Sequence, residues 1–229
     1  MTNPISAISS KATASVLAAL VLRYENAHGQ SVTLESVGGV DAARRVRDGE
    51  GFDVIVLDAA AMSKLVQLGC IAEGSTREFV RSRVVAAVPE GESHPDISTV
   101  KSMRQTLLAT RSIGFSTGPS GAALQELIQA WGLSSELGPK LKQAPPGVSV
   151  GSLIASGAAD IGFQQYSELM DVSGVYVLGP LPIGAEIVST FVAGIGVQSY
   201  SVGAAEKLVE FLASEAVASD KQRQGFESV

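Results

Sequence analysis

The sequence is poor in the residues that disulfides, metal sites and nucleic-acid surfaces require. Its 229 residues include one cysteine, so no intrachain disulfide forms. That residue, Cys70, sits in the apolar run Leu68-Gly69-Cys70-Ile71, where a small buried side chain is expected rather than a nucleophile. There are two histidines, His28 and His94, far apart in polar, turn-like stretches. With a lone cysteine they give no zinc spacing, and neither a metal nor a cofactor is expected. They also leave no workable Ser-His-Asp set, and no G-x-S-x-G elbow occurs. Neither G-x-x-x-x-G-K-[ST] nor a G-x-G-x-x-G after the first strand is present, so nucleotide-binding readings lack a motif. Positive charge is short too. The net charge of -6 argues against a nucleic-acid partner. A small anionic ligand stays open, because local backbone dipoles bind one whatever the net charge. Long apolar runs are also missing. Ala12 to Leu22 resembles a signal-peptide core, but it is too short to span a bilayer, Arg23 and Glu25 follow it, and no small-x-small cleavage site comes after. It is read as the first helix of the fold. No membrane insertion is expected, and the chain reads as cytoplasmic as written, or periplasmic if an export signal has been removed.

What is present is alternation. Hydrophobic residues make up 45% of the chain and aromatics 5%, a balance that suits buried parallel strands and close helix packing. Strand patterns over Pro4 to Ile8, Ser31 to Ser36, Asp53 to Leu57, Arg83 to Pro89, Ser112 to Ser116, Asp160 to Gln165, Val175 to Leu178 and Ile187 to Val197 are separated by helical patterns. Ser9-Ser10 reads as the cap of the first helix, and Gly118 to Gly121 as the loop opening a helix from Ala122 to Trp131. A break is predicted at Pro145-Pro146-Gly147. Regular βα alternation implies an α/β fold with a mostly parallel sheet, and ligands in such sheets bind beyond the carboxyl ends of the strands.

Three strand-to-helix loops share one chemistry: Ile8-Ser9-Ser10-Lys11, Ser36-Val37-Gly38-Gly39-Val40, and Ser116-Thr117-Gly118-Pro119-Ser120-Gly121. Each offers backbone N–H groups at a helix amino-terminus, hydroxyl donors and glycines that permit close approach. Any one of them is satisfied by ordinary helix capping. Three in one chain point to a shared anion site.

The order of motifs resembles the molybdate-type periplasmic substrate-binding protein family. Gly51-Phe52-Asp53-Val54-Ile55-Val56-Leu57 is similar to the family's "ADV" strand. Arg81 to Pro89 is similar to its crossover strand, Ile113 to Gly121 to its second binding loop, and Gly157 to Phe163 to its "G-x-A-D-x-G" segment. Phe211-Leu212-Ala213-Ser214 and Gln224-Gly225-Phe226 resemble its carboxyl-terminal helix and closing "GF". The resemblance implies a two-lobed α/β fold of the type II periplasmic-binding-protein kind, with residues 1–83 and 190–229 in lobe 1 and 84–189 in lobe 2. It implies a solute-binding protein that closes over a small oxyanion or carboxylate held between the lobes by neutral donors. Those donors are Ser9, Ser10, Gly38, Gly39, Thr117, Gly118, Ser120, Gly121, Val148, Gln164 and Tyr166. An ABC transporter membrane component is the implied partner if the protein is exported.

The segment Gln164-Gln165-Tyr166-Ser167-Glu168 departs from the family's usual Val-Tyr and Ser-Asp, and Gly38-Gly39-Val40 stands where serine is usual. A branch of the fold with aconitate isomerase activity is similar, so an isomerase acting on a polycarboxylate is the alternative, a cytoplasmic ligand sensor a third. Under the isomerase reading Lys11, Arg81 and Arg83 would pair substrate carboxylates while Tyr166 or Glu168 relays a proton.

Overall fold

The computed structural model describes residues 3–145 and 147–229, so the predicted break is seen at Pro145 and Gly147 while Pro146 lies outside the described residues. The chain forms β1 (Ile5–Ser10), α1 (Ala14–His28), β2 (Val32–Val37), α2 (Gly39–Arg47), β3 (Val54–Asp58) and α3 (Ala59–Gln67). Then come β4 (Arg77–Pro89), α4 (Val100–Ala109), β5 (Ile113–Phe115), α5 (Pro119–Ala130), α6 (Ser134–Leu137), β6 (Leu141–Gln143), α7 (Val150–Ala155), β7 (Ile161–Gln165), α8 (Tyr166–Leu169) and β8 (Val175–Pro180). The chain finishes with β9 (Val188–Ile195), α9 (Val202–Ala213), α10 (Ala218–Arg223) and β10 (Glu227–Ser228).

Two compact units result. The first takes the chain up to Ser82 together with Thr190–Val229, the second takes Arg83–Ser189. The chain passes between them within β4 and returns within β9. In the first unit β1 lies between β2 and β3, parallel to both, and β9 and β10 add antiparallel pairings with β3 and β4. In the second unit β5 lies between β6 and β7, again parallel, while β4 runs antiparallel to β7 and β8. The parallel core of each unit is therefore three strands, and the strands shared between units supply antiparallel neighbours.

Each sheet is apolar on both faces, which explains the near-continuous hydrophobic strands. Val54 and Val56 join one buried cluster with Ile5 and Leu17, whereas Ile55 and Leu57 join another with Ile8 and Met62. In the second unit Val84, Ala86 and Val88 face a cluster built on Phe163 and Leu124, and Val85 and Ala87 face Val150 and Ile154. Alternation with period two thus sends successive side chains of one strand into two cores. The apolar stretch from Ala12 to Leu22 lies mostly in α1, with Val16, Leu17, Leu20 and Val21 buried. No helix among the described residues is long and apolar enough to cross a membrane.

Two boundaries differ from the sequence reading in ways that matter for function. Ser9 and Ser10 do not cap α1: they are the last residues of β1, a 3-10 turn over Lys11–Thr13 follows, and Thr13 is the cap position. Helix α5 begins at Pro119, not Ala122, so Ser120 and Gly121 belong to its first turn. Proline at the first helical position costs no hydrogen bond and presets φ, which pulls the start forward.

Candidate functional site

In the first unit the parallel register sets Ser9 opposite Ser36 and Ser10 opposite Val37, at the carboxyl ends of β1 and β2. Ser9 and Ser10 are both buried. The Ser9 and Ser36 hydroxyls are 2.8 Å apart, and Ser9 also donates to the Ser10 carbonyl at 3.2 Å. The Thr13 hydroxyl donates to the same carbonyl at 3.2 Å. Ser10 is held more loosely: its hydroxyl has a 3.5 Å contact with the Thr13 hydroxyl. Helix α2 starts beside it, since a Cβ on Gly39 would touch the Ser10 Cβ at 3.5 Å, and around Gly38 there is open space. The structure therefore brings Ser9, Ser10 and Gly39 together with Gly38 adjoining. Lys11 is exposed.

In the second unit the in-register ends of β5 and β7 carry the corresponding group. Ser120 is buried, its hydroxyl 2.9 Å from that of Ser116, and Ser116 also accepts from the Gly118 N–H at 3.3 Å. Gly121 is obligatory: an added Cβ would lie 1.9 Å from the Ser116 carbonyl oxygen. This close approach folds the loop back over the first turn of α5. Thr117 is exposed and Gly118 half-buried. The Val148 N–H, expected as a ligand donor, is taken by the Pro145 carbonyl at 3.0 Å. The neighbouring Ser149 instead caps α7 by accepting from the Ser152 N–H at 3.0 Å.

Gln164 is buried near the end of β7, with its side-chain carbonyl accepting the Val150 N–H at 2.9 Å. Tyr166 and Glu168 follow on α8, Tyr166 exposed and Glu168 half-buried. Burial pushes the Glu168 carboxyl up to about 6, with a hydrogen bond from Gln164 partly opposing the rise. The Ser167 hydroxyl, between them, is buried with no hydrogen-bond partner among the described residues. Arg81, by contrast, is an exposed side chain of β4 with Glu78 as its ion-pair partner at 3.3 Å, and Arg83 lies close enough to Glu186 to help lower that carboxyl. Among the described residues no group of three or more His, Cys, Asp or Glu side chains is placed to hold a metal ion. Sequence reasoning missed Thr13 and Ser149. The serine–threonine spacing of three at Ser10 and Thr13, and of serines at Ser149 and Ser152, was the available signal.

The comparisons with known proteins agree with this architecture. An aconitate isomerase of Pseudomonas sp. is 30% identical over 212 residues, covering 90% of this chain and 80% of that protein. The periplasmic molybdate-binding protein of Azotobacter vinelandii superposes with a TM-score of 0.79 at 18% identity, covering 97% of this chain and 98% of its own. The sulfate-binding protein SubI of Mycobacterium tuberculosis H37Rv superposes with a TM-score of 0.80 at 16% identity, covering 100% of this chain and 88% of its own. These structures share the periplasmic-binding-protein fold expected from the sequence. The sequence model for bacterial extracellular solute-binding proteins matches residues 5–227, and the chain belongs to that family.

Proposed function

We propose that the protein binds a small anion, an oxyanion or a small carboxylate, using neutral donors at the carboxyl ends of β1 and β2 in the first unit and of β5 and β7 in the second. One observation carries this reading. In each unit a buried serine meets a glycine-opened helix start just past a carboxyl strand end: Ser10 ends β1 against the first turn of α2, and Ser120 sits in the first turn of α5 with its hydroxyl 2.9 Å from that of Ser116. Such a turn presents N–H groups and the positive end of the macrodipole. Neutral donors suit an anion stripped of water, because a buried full charge would carry its own desolvation penalty. The exposure of Lys11 and the pairing of Arg81 with Glu78 fit this preference. The family description supports an extracellular role, and the structural likeness to a Clostridium difficile domain described as the substrate binding domain of a molybdenum ABC transporter supports the membrane component of such a transporter as partner.

A thermal-shift screen against molybdate, tungstate, sulfate, phosphate and small polycarboxylates identifies the ligand as the one that raises Tm. Calorimetric titration of that ligand then tests the site. Ser10→Ala and Ser120→Ala are each expected to cost about 1–3 kcal/mol, roughly 5- to 150-fold in Kd, with the fold intact. Unchanged affinity in both variants overturns the proposal.

A second reading is favoured by Glu168 and by the aconitate isomerase relative. A carboxyl near 6 is suited to give and take a proton at neutral pH, and Tyr166 stands two residues away on the same short helix. An isomerase of this kind would shift a double bond in a bound polycarboxylate. Incubation with trans-aconitate would then yield a new species by NMR, formed more slowly by Tyr166→Phe. No turnover across a panel of polycarboxylates leaves binding as the function.

A further inference from the structure

A recess of a different kind lies elsewhere in the second unit. It is a groove with an open volume of about 470 Å³ along β8, and none of its lining residues belongs to the Ser116–Gly121 loop or to α8. One wall is β8 itself: Tyr176, Leu178 and Pro180, spaced by two, present one face to it. The other wall is the chain around His94, Asp96 and Ile97, together with residues 181–183. The His94 imidazole stacks on the Tyr176 ring, with centroids 3.8 Å apart and planes 13° from parallel. Ile183, on the same lining, is 91% exposed, an apolar side chain left in water.

Strand β8 is also an edge. It pairs with β4 and with no other strand among the described residues. Outside that ladder, no backbone–backbone hydrogen bond among the described residues involves positions 176–180. Pro180 suits such an edge, since it has no N–H to pair. Charge then sets the sign of a partner. Asp96 is the one carboxylate lining the groove, its Oδ1 accepting the Ser98 N–H at 2.8 Å, and no lysine or arginine lines the groove with it. Glu90, Glu92 and Glu186 are exposed on the flanking segments. Of the cations that act on these flanking carboxylates, Arg111 is bound to Asp160 at 2.9 Å and Arg83 acts on Glu186. Apolar walls around a carboxylate without a cation are complementary to a basic apolar segment.

Beyond anion binding, we infer that this groove docks an extended segment of a partner protein carrying apolar residues together with lysine or arginine. The segment adds a strand to the open edge of β8, so main-chain hydrogen bonds supply affinity. A lysine or arginine stem lies along the apolar wall while its charged head reaches Asp96. Ile183 and the His94–Tyr176 stack cover an apolar side chain of the segment.

The test uses the whole protein and fluorescein-labelled peptides of repeated Leu-Leu-Arg-Arg, a pattern that puts both residue types on each face of a strand, with Leu-Leu-Glu-Glu as the counterpart. Fluorescence anisotropy should show binding of the basic peptide and none of the acidic one. Asp96→Asn should weaken binding roughly tenfold. Glu136→Gln, at an exposed carboxylate on α6, should leave it unchanged. Methylating the amides of the basic peptide should abolish binding, since an added strand needs those donors. Amide NMR shifts should fall within residues 94–98 and 175–183. No binding of the basic peptide, equal binding of the acidic or the methylated one, the same affinity in Asp96→Asn and Glu136→Gln, or shifts centred elsewhere overturns the inference. So does a dimer of this chain that gives the same shifts without peptide, or saturation of the groove by arginine amide at the peptide's own concentration, because the occupant is then a second copy or a small cation. Should Asp96→Asn fail to fold, the peptide series and the wild-type spectra decide.

Discussion

Two carboxylates, one in each unit, show how the same chemical group is put to opposite uses. Asp53 lies just before β3, at the amino end of the first sheet, away from the donor loops. It is 5% exposed and fully engaged: its oxygens accept from the Ser6 N–H and hydroxyl at 2.8 Å, the Ser199 hydroxyl at 2.7 Å, and the N–H groups of Tyr200 and Ser201 at 3.1 and 3.3 Å. Burial alone would raise its pKa, but these bonds outweigh burial and hold the carboxyl below its ordinary value. Glu168 stands on α8, just past β7 in the second unit, where burial outweighs the opposing hydrogen bond from Gln164. A carboxylate surrounded by donors is a fixed strut joining β1, β3 and the start of α9. One left with a single donor is free to change charge.

The comparison is most sharply tested at Asp53. Asp53→Ala strands Ser6 and the amino end of α9 and is expected to destabilise the protein by about 3 kcal/mol, measured by denaturant unfolding. Its contribution is present above the ordinary carboxylate pKa and is lost as pH falls through the lower folded value, so the wild type should lose this advantage over the variant in acid. Gly121→Ala comes next. A Cβ within 1.9 Å of a backbone oxygen forces the Ser116–Gly121 loop to rearrange, with an expected loss of anion affinity exceeding that of Ser120→Ala and a smaller loss of stability. The smallest effect is that of Glu168→Gln. Since the folded pKa is raised to about 6 from an ordinary 4.5, the charged form is disfavoured in the fold, and the penalty grows as pH rises through that window. The variant should therefore gain Tm relative to wild type at pH 7.5 and not at pH 4.5. A gain equal at both values would place Glu168 among the inert surface carboxylates.

Much of this was legible in the residues. Asp53-Val54-Ile55-Val56-Leu57 reads as a buried strand because four successive apolar side chains need two covered faces, and the Ser/Gly loops announce helix starts after strands. What remained hidden depends on partners distant in sequence. Nothing local reveals that Asp53 meets Ser199, 146 positions on, or that Val148 spends its N–H on Pro145 while Val150 donates to Gln164. Ser9 and Ser10 look like a helix cap because serine is favoured there, yet pairing with β2 extends the strand through both. Short elements such as β6 and α8 lack the length that periodicity requires.

The route of the chain has a consequence for synthesis. The second unit is one uninterrupted stretch, whereas the first closes only when β9, α9 and β10 have been added. On the ribosome every residue of the second unit emerges before the first has its full set of strands. A stop codon shortly after Ser189 would leave the Ser120 loop and its sheet encoded in full, while the Ser10 loop would stand on a sheet lacking the β9 partner of β3.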